Sequence, residues 1–258
     1  MELDIIDILQ GSLSLIFVLI SFIIGFSIIS KYGKFKNRLY ILVGLCWLML
    51  STLWLPEAIS FLMRLFIQQT LRIDWYFIIG NVFVPVALIC WVIAYTDMVN
   101  KEKQKIAVAL TLIFSIVFEG LFFYQFFLDP NLLGYIGVIT QIRPFSADLE
   151  YFLAILLSIS FLILFVTGFK FARKSVKSEN KEVRLKGKLL QFAFVAFTIA
   201  ALLEKTARSI LIGTVFASPL EPILTVMLVV VRVLLISSAI AFYGGFLLPH
   251  WMKEIFTQ

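Results

Sequence analysis

Glu57, Asn81, Glu119, Glu204, Lys205 and Arg208 stand inside stretches of chain that are otherwise apolar. In such surroundings a carboxylate can hold a proton or a cation, an amide can donate or accept, and lysine or arginine can neutralise an acid or grip an anion. A charge at membrane depth costs on the order of 2.5–3.5 kcal/mol on insertion scales, so it persists where it faces protein or water. At ~100° per residue, Glu204, Arg208 and Lys205 fall at roughly 0°, 40° and 100° on the helical wheel, one arc able to face a bundle interior. A local i,i+4 pair between Glu204 and Arg208 is the alternative. Arg232, in Val-Val-Val-Arg-Val-Leu-Leu, has no acid within a helical turn. Its partner must come from another helix or from water; Glu119 is the expected one, with Arg232 either an interhelix lock or a group in signalling or transport.

Other chemistry is missing. The chain has no Gly-rich phosphate loop, no His-Glu-x-x-His and no Gly-x-Ser-x-Gly, and its single histidine, His250, sits beside Pro249 and Trp251 as a boundary anchor. Two cysteines, Cys46 and Cys90, lie within apolar segments without metal-ligand spacing and read as packing thiols. An enzyme is therefore not expected, nor is a cofactor. Retinal proteins carry a Schiff-base lysine in the last span, where this chain has Arg232.

The elements that position these residues follow from composition. Of 258 residues 61% are hydrophobic and 27 are phenylalanine, a balance suited to lipid. Seven apolar segments are long enough to cross ~30 Å of hydrocarbon: about 9–30, 39–66, 75–96, 106–127, 151–171, 189–212 and 220–248. The expected fold is an all-α seven-transmembrane bundle forming one domain over residues 1–258. Pro56 and Pro85 can kink the second and third spans and free a backbone carbonyl, with plain packing the preferred reading over a role in motion. The acidic opening Met-Glu-Leu-Asp lacks a signal peptide's positive region, so the first span reads as an uncleaved anchor.

Loop charge sets orientation. Lys31–Arg38, Asp97–Lys105 and Arg173–Lys188 hold nearly all the loop cations, which places the amino terminus outside and the carboxyl terminus in the cytosol. The net charge of +6 is thus topological, and no basic domain exists to hold nucleic acid. Counting ~1.5 Å per residue from the inner ends puts Glu57 at ~27 Å, Glu119 at ~20 Å and Glu204, Lys205 and Arg208 at ~22–29 Å. Asn81 shares that outer layer and Glu221 marks the start of the last span, while Arg232, Ser237, Ser238 and Asp97 lie further in. Acids and cations at one depth either pair to fix packing or line a pocket open to the outside.

Trp54-x-x-Glu57, Tyr76, Pro85 and Tyr95-Thr96 before a charged loop resemble the seven-helix input module of some prokaryotic histidine kinases. The likeness covers about a quarter of the chain by the residues that carry it. It implies a sensory protein in a prokaryotic plasma membrane, with the same outside-to-inside topology. Seven residues follow Trp251, so no kinase domain is expected. Signalling would then pass to a cytoplasmic partner docking on Arg173–Lys188. Seven-span topology is shared with G-protein-coupled receptors, but their Asp-Arg-Tyr and Asn-Pro-x-x-Tyr motifs are absent.

The expected function is receptor-like: an outward charged pocket of Glu57, Asn81, Glu119, Glu204, Lys205 and Arg208 binds a small polar ligand or lipid, with membrane lipids around the bundle. Two alternatives stand beside it. One is a small solute or ion transporter using the carboxylates as relays, although inverted repeats are not evident. The other is a non-catalytic subunit of a membrane complex.

Overall fold

The computed structural model describes residues 3, 5–128, 137–139, 147–149, 151–213 and 221–257. Among these residues seven helical spans are long and apolar enough to cross a membrane, which makes this a multi-pass helical membrane protein. In chain order the elements are α1 (Ile5–Phe35), α2 (Leu39–Ser51), a 3-10 turn (Thr52–Trp54), α3 (Leu55–Ile67), α4 (Ile73–Asn81), α5 (Phe83–Val99), a second 3-10 turn (Lys101–Lys103) and α6 (Gln104–Leu128). They continue with β1 (Gly137–Ile139), β2 (Ala147–Leu149), α7 (Tyr151–Val176), α8 (Lys181–Gly213), α9 (Glu221–Leu247) and α10 (His250–Thr257).

The helix is interrupted near both prolines. The second span is α2 and α3 joined through the 3-10 turn, with Pro56 in the first turn of α3, where its missing N–H costs least. The third span is α4 and α5 joined at Val82, three residues before Pro85. Between α6 and α7, Gly137, Val138 and Ile139 face Leu149, Asp148 and Ala147 in an antiparallel ribbon.

A correction concerns the basic stretch at 173–188, expected as a loop. It folds as a helical hairpin, with α7 running to Val176 and α8 starting at Lys181, two turns before the apolar segment begins. Asn180 explains the early start. Its Oδ1 accepts hydrogen bonds from the backbone N–H of Glu182 at 2.9 Å and Val183 at 3.3 Å, an N-terminal cap that satisfies donors the helix itself leaves open.

The spans form a ring. α1 packs on α2, α2 on α5, α5 on α7, α7 on α8, α8 on α9, and α9 returns to α1. The fourth span, α6, stands outside this ring against α5 and is the least covered of the seven. The main core includes Phe17, Trp47, Trp91, Phe194, Phe197 and Phe242; a second cluster of Tyr76, Phe77, Phe118, Phe122 and Leu153 belongs to the third, fourth and fifth spans. Cys46 and Cys90 are buried free thiols, as their apolar settings imply.

Without a hydrophobic drive between helices in lipid, close approach supplies the association energy. Gly25 on α1 and Gly44 on α2 provide it: a Cβ at Gly44 would lie 2.5 Å from Ile29 Cγ1 and 2.8 Å from the Gly25 carbonyl oxygen. Gly44→Val is accordingly expected to destabilise the purified protein by about 1–3 kcal/mol through overpacking, read as a lower unfolding temperature in detergent; an unchanged temperature would show that the two helices part without loss.

One end of the bundle is tied by exposed ion pairs. Arg38 donates from Nε and Nη2 to Asp97 at 2.8 and 2.6 Å, and Gln104 Nε2 donates to the same carboxylate at 2.9 Å. The hydrogen bonds from Arg38 to Asp97, with the charge of that carboxylate, raise the pKa of the Arg38 guanidinium above its ordinary value. Lys253 on α10 pairs with Glu182 at the start of α8. His250 meets Glu254 one turn on, Nδ1 to Oε1 2.9 Å, so it sits in a short surface helix.

Candidate functional site

α1 turns a polar stripe inward. Asp7, Gln10, Ser14 and Ser21 are all buried while Ile16, Leu19 and Ile23 are exposed, the inverse of a soluble helix because the outer solvent is lipid. Beside this stripe, the break in the second span projects Trp54 and Glu57 three residues apart, hence on one face. α8 and α9 form the largest helix pair and contribute Glu204 and Arg232.

These residues meet. Arg232 Nη2 donates to Glu57 Oε2 at 2.7 Å and to Glu204 Oε1 at 3.0 Å, and Nη1 donates to Glu204 Oε2 at 3.1 Å. The guanidinium thus forks onto Glu204 with two parallel bonds and spends a further proton on Glu57, the geometry that makes arginine–carboxylate pairs strong and directional. Trp54 Nε1 donates to Glu204 Oε2 at 2.7 Å. Ser14 Oγ lies 2.8 Å from Glu57 Oε2 and 2.7 Å from the Gln10 carbonyl oxygen, its single proton serving one of them at a time. Gln10 Nε2 donates to Glu57 Oε1 at 3.4 Å.

Burial makes the node costly to disturb. Side-chain exposure is 0% for Glu57, 2% for Arg232 and 12% for Glu204, so Glu204 is the only one of the three that reaches an accessible edge. The first, second, sixth and seventh spans are tied together through it. Directly against it lie aromatics: Phe17 meets the Trp54 ring edge-on at 5.0 Å and Phe197 meets it at 5.8 Å. Phe197 continues to Trp47 at 5.8 Å, and Trp47 stacks on Phe242 at 4.2 Å.

The expected partner of Arg232 is corrected. Arg232 pairs with Glu57 and Glu204, and Glu119 has no part in it, because α6 packs outside the ring that holds α9. Arg232 also stands level with Glu57 and Glu204. Depth counted inward from loop charges misplaces it because α8 and α9 run 33 and 27 residues, longer than ~20 residues of hydrocarbon require. Of the expected pocket residues, Glu57 and Glu204 come together; Asn81, at the end of α4 with its amide on the Phe77 carbonyl oxygen, and Glu119, on α6, are not among the partners of Arg232. Lys205 and Arg208 are on α8, but their side chains, like that of Glu221, lie outside the described residues.

Gln10, Ser14 and Trp54 join the site without having been singled out for it. Their signal was available as a polar i,i+4 pair in an apolar span and as the Trp54-x-x-Glu57 spacing. Among the described residues no group of three or more His, Cys, Asp and Glu suits a metal ion. The fold and this node define a class, a seven-helix membrane bundle with a charged interior. No family model, curated protein or solved structure matches the chain.

Proposed function

We propose that the protein is a receptor-like seven-helix membrane protein in which the Arg232 bridge is the switch. The observation that carries this reading is one guanidinium shared by carboxylates from two helices, Glu57 and Glu204. Such a bridge has discrete alternatives, since Arg232 can keep either acid and release the other, and a ligand that competes for Glu204 favours one arrangement of the bundle. The positive-inside distribution supports an amino terminus outside and a carboxyl terminus in the cytosol; the pairs Arg38–Asp97 and Glu182–Lys253 are consistent with the basic connections sharing one end. The small polar ligand then arrives from outside at the Glu204 edge. Arg173, Lys174, Lys181, Arg184 and Lys188 are exposed on the α7–α8 hairpin and offer a cytoplasmic signalling partner a basic surface in a plasma membrane. The likeness to kinase input modules fits this reading.

The aromatic layer of Phe17, Trp54, Phe197, Trp47 and Phe242 weighs against a transporter, because it replaces the polar groups a relay needs beyond the node. A thermal-shift screen of small polar compounds on purified protein tests the choice. A compound that stabilises wild type and not Glu204→Gln supports a receptor. Proton or solute flux in proteoliposomes that Glu204→Gln abolishes, with no stabilising compound, establishes the transporter instead.

A further inference from the structure

Away from the node, the interface between the third and fourth spans holds acceptors that lack donors. Asn81 is 4% exposed; its Nδ2 donates to the Phe77 carbonyl oxygen at 2.9 Å, while its Oδ1 is buried with no hydrogen-bond partner. Exchanging the amide atoms would set oxygen against oxygen, so the orphan is an acceptor. Glu119 Oε2 is also buried without a partner.

Helix register places the two at one level. Ser115 Oγ lies 3.4 Å from the Pro85 carbonyl oxygen, so position 115 of α6 faces position 85 of the antiparallel third span. One turn on along α6 is Glu119, and one turn back is Asn81, each on the same face as its predecessor. Pro85 adds to the imbalance, since it has no N–H to offer the Asn81 carbonyl four residues back. Acceptors at one level with no donor need a positive hydrogen.

We infer that Glu119 binds a proton at neutral pH and donates it from Oε2 to Asn81 Oδ1, forming a proton-dependent staple between the fourth span and the proline break of the third. One proton taken from water satisfies both orphan oxygens and spares the lipid-exposed α6 a charge. Its loss would set a carboxylate against Asn81 Oδ1, so the fourth span would loosen as pH rises. Among the described residues no charged group on a packed element competes for Glu119. From α5 the titratable side chains are Cys90, nine residues beyond Asn81 or about 13 Å along the helix, then Tyr95 and the Arg38-paired Asp97 at the far end. From α4 they are Tyr76 and the Arg72-paired Asp74; on α6 itself Tyr124 is exposed and Lys105 stands at the opposite end, with Lys101, Glu102 and Lys103 beyond it; and on α7, whose Leu153 joins the same cluster, Lys170, Arg173 and Lys174 lie towards the far end. This staple is independent of the receptor reading.

Infrared spectroscopy of the full chain in lipid nanodiscs tests it. At neutral pH wild type is expected to show the C=O stretch of a protonated carboxylic acid that Glu119→Gln removes. Asn81→Leu should shift that band to higher frequency by deleting its acceptor, and this arm decides the matter if Glu119→Gln fails to fold. Wild type should also lose thermal stability as pH is raised, whereas Glu119→Gln should not. The proposal is overturned if the spectrum shows only ionised carboxylate that Glu119→Gln removes, if Asn81→Leu leaves the band unmoved, or if Glu119-dependent stability follows sodium concentration rather than pH, which would make the occupant a metal cation.

Discussion

Arg232→Met is expected to destabilise the protein by about 3–5 kcal/mol, the cost of breaking a buried ion pair by removing one partner. Methionine fills much of the volume, so the loss is electrostatic: the cation between Glu57 and Glu204 is gone while both acids stay in place, Glu57 with 0% exposure. The sign of a second-site effect separates this from a packing defect. Adding Glu57→Gln and Glu204→Gln to Arg232→Met should recover most of the loss, because neutral amides remain hydrogen-bonded to Ser14, Gln10 and Trp54 without needing a counter-charge. Thermal or chemical unfolding in detergent reads both steps; a triple variant no more stable than the single one would show that Arg232 is held by shape alone.

Phe197→Ala should be nearly as damaging, about 3–5 kcal/mol. Phe197 is 3% exposed and touches Trp54, Trp47 and Phe161 with ring centroids at 5.8, 5.8 and 5.9 Å. In a membrane the loss is of dispersion contacts rather than of burial from water, since lipid tails are as apolar as the core. Truncation should also open the layer beneath the node. Wild-type proteoliposomes are expected to hold a proton gradient and Phe197→Ala vesicles to leak; equal leakage would mean that the aromatic layer is not the barrier.

Span number and the broken second and third helices were legible in the sequence, because hydropathy, length and proline act locally. The convergence of Glu57 and Glu204 was legible as shared depth on spans of alternating direction. The partner of Arg232 was not, because it depends on which helices close the ring and which one stands outside it, a packing outcome that depth alone cannot rank. Glu119 and Asn81 lie at similar depth to the node yet belong to the outlying α6 and its neighbour. The early start of α8 was missed for a different reason: lysines there read as loop charge, whereas the cap from Asn180 is a side-chain geometry that composition does not reveal.

Whether the Arg232 bridge is a switch rather than a fixed brace is best measured by pulsed spin-label distances across the end opposite the node. Cysteines introduced at the exposed positions Lys34 and Lys177 can carry the labels while Cys46 and Cys90 stay buried. Two distance populations in wild type, with their ratio displaced by Glu204→Gln, are the predicted result. A single population that Glu204→Gln leaves in place would contradict it and leave the bridge as a static tie between helices.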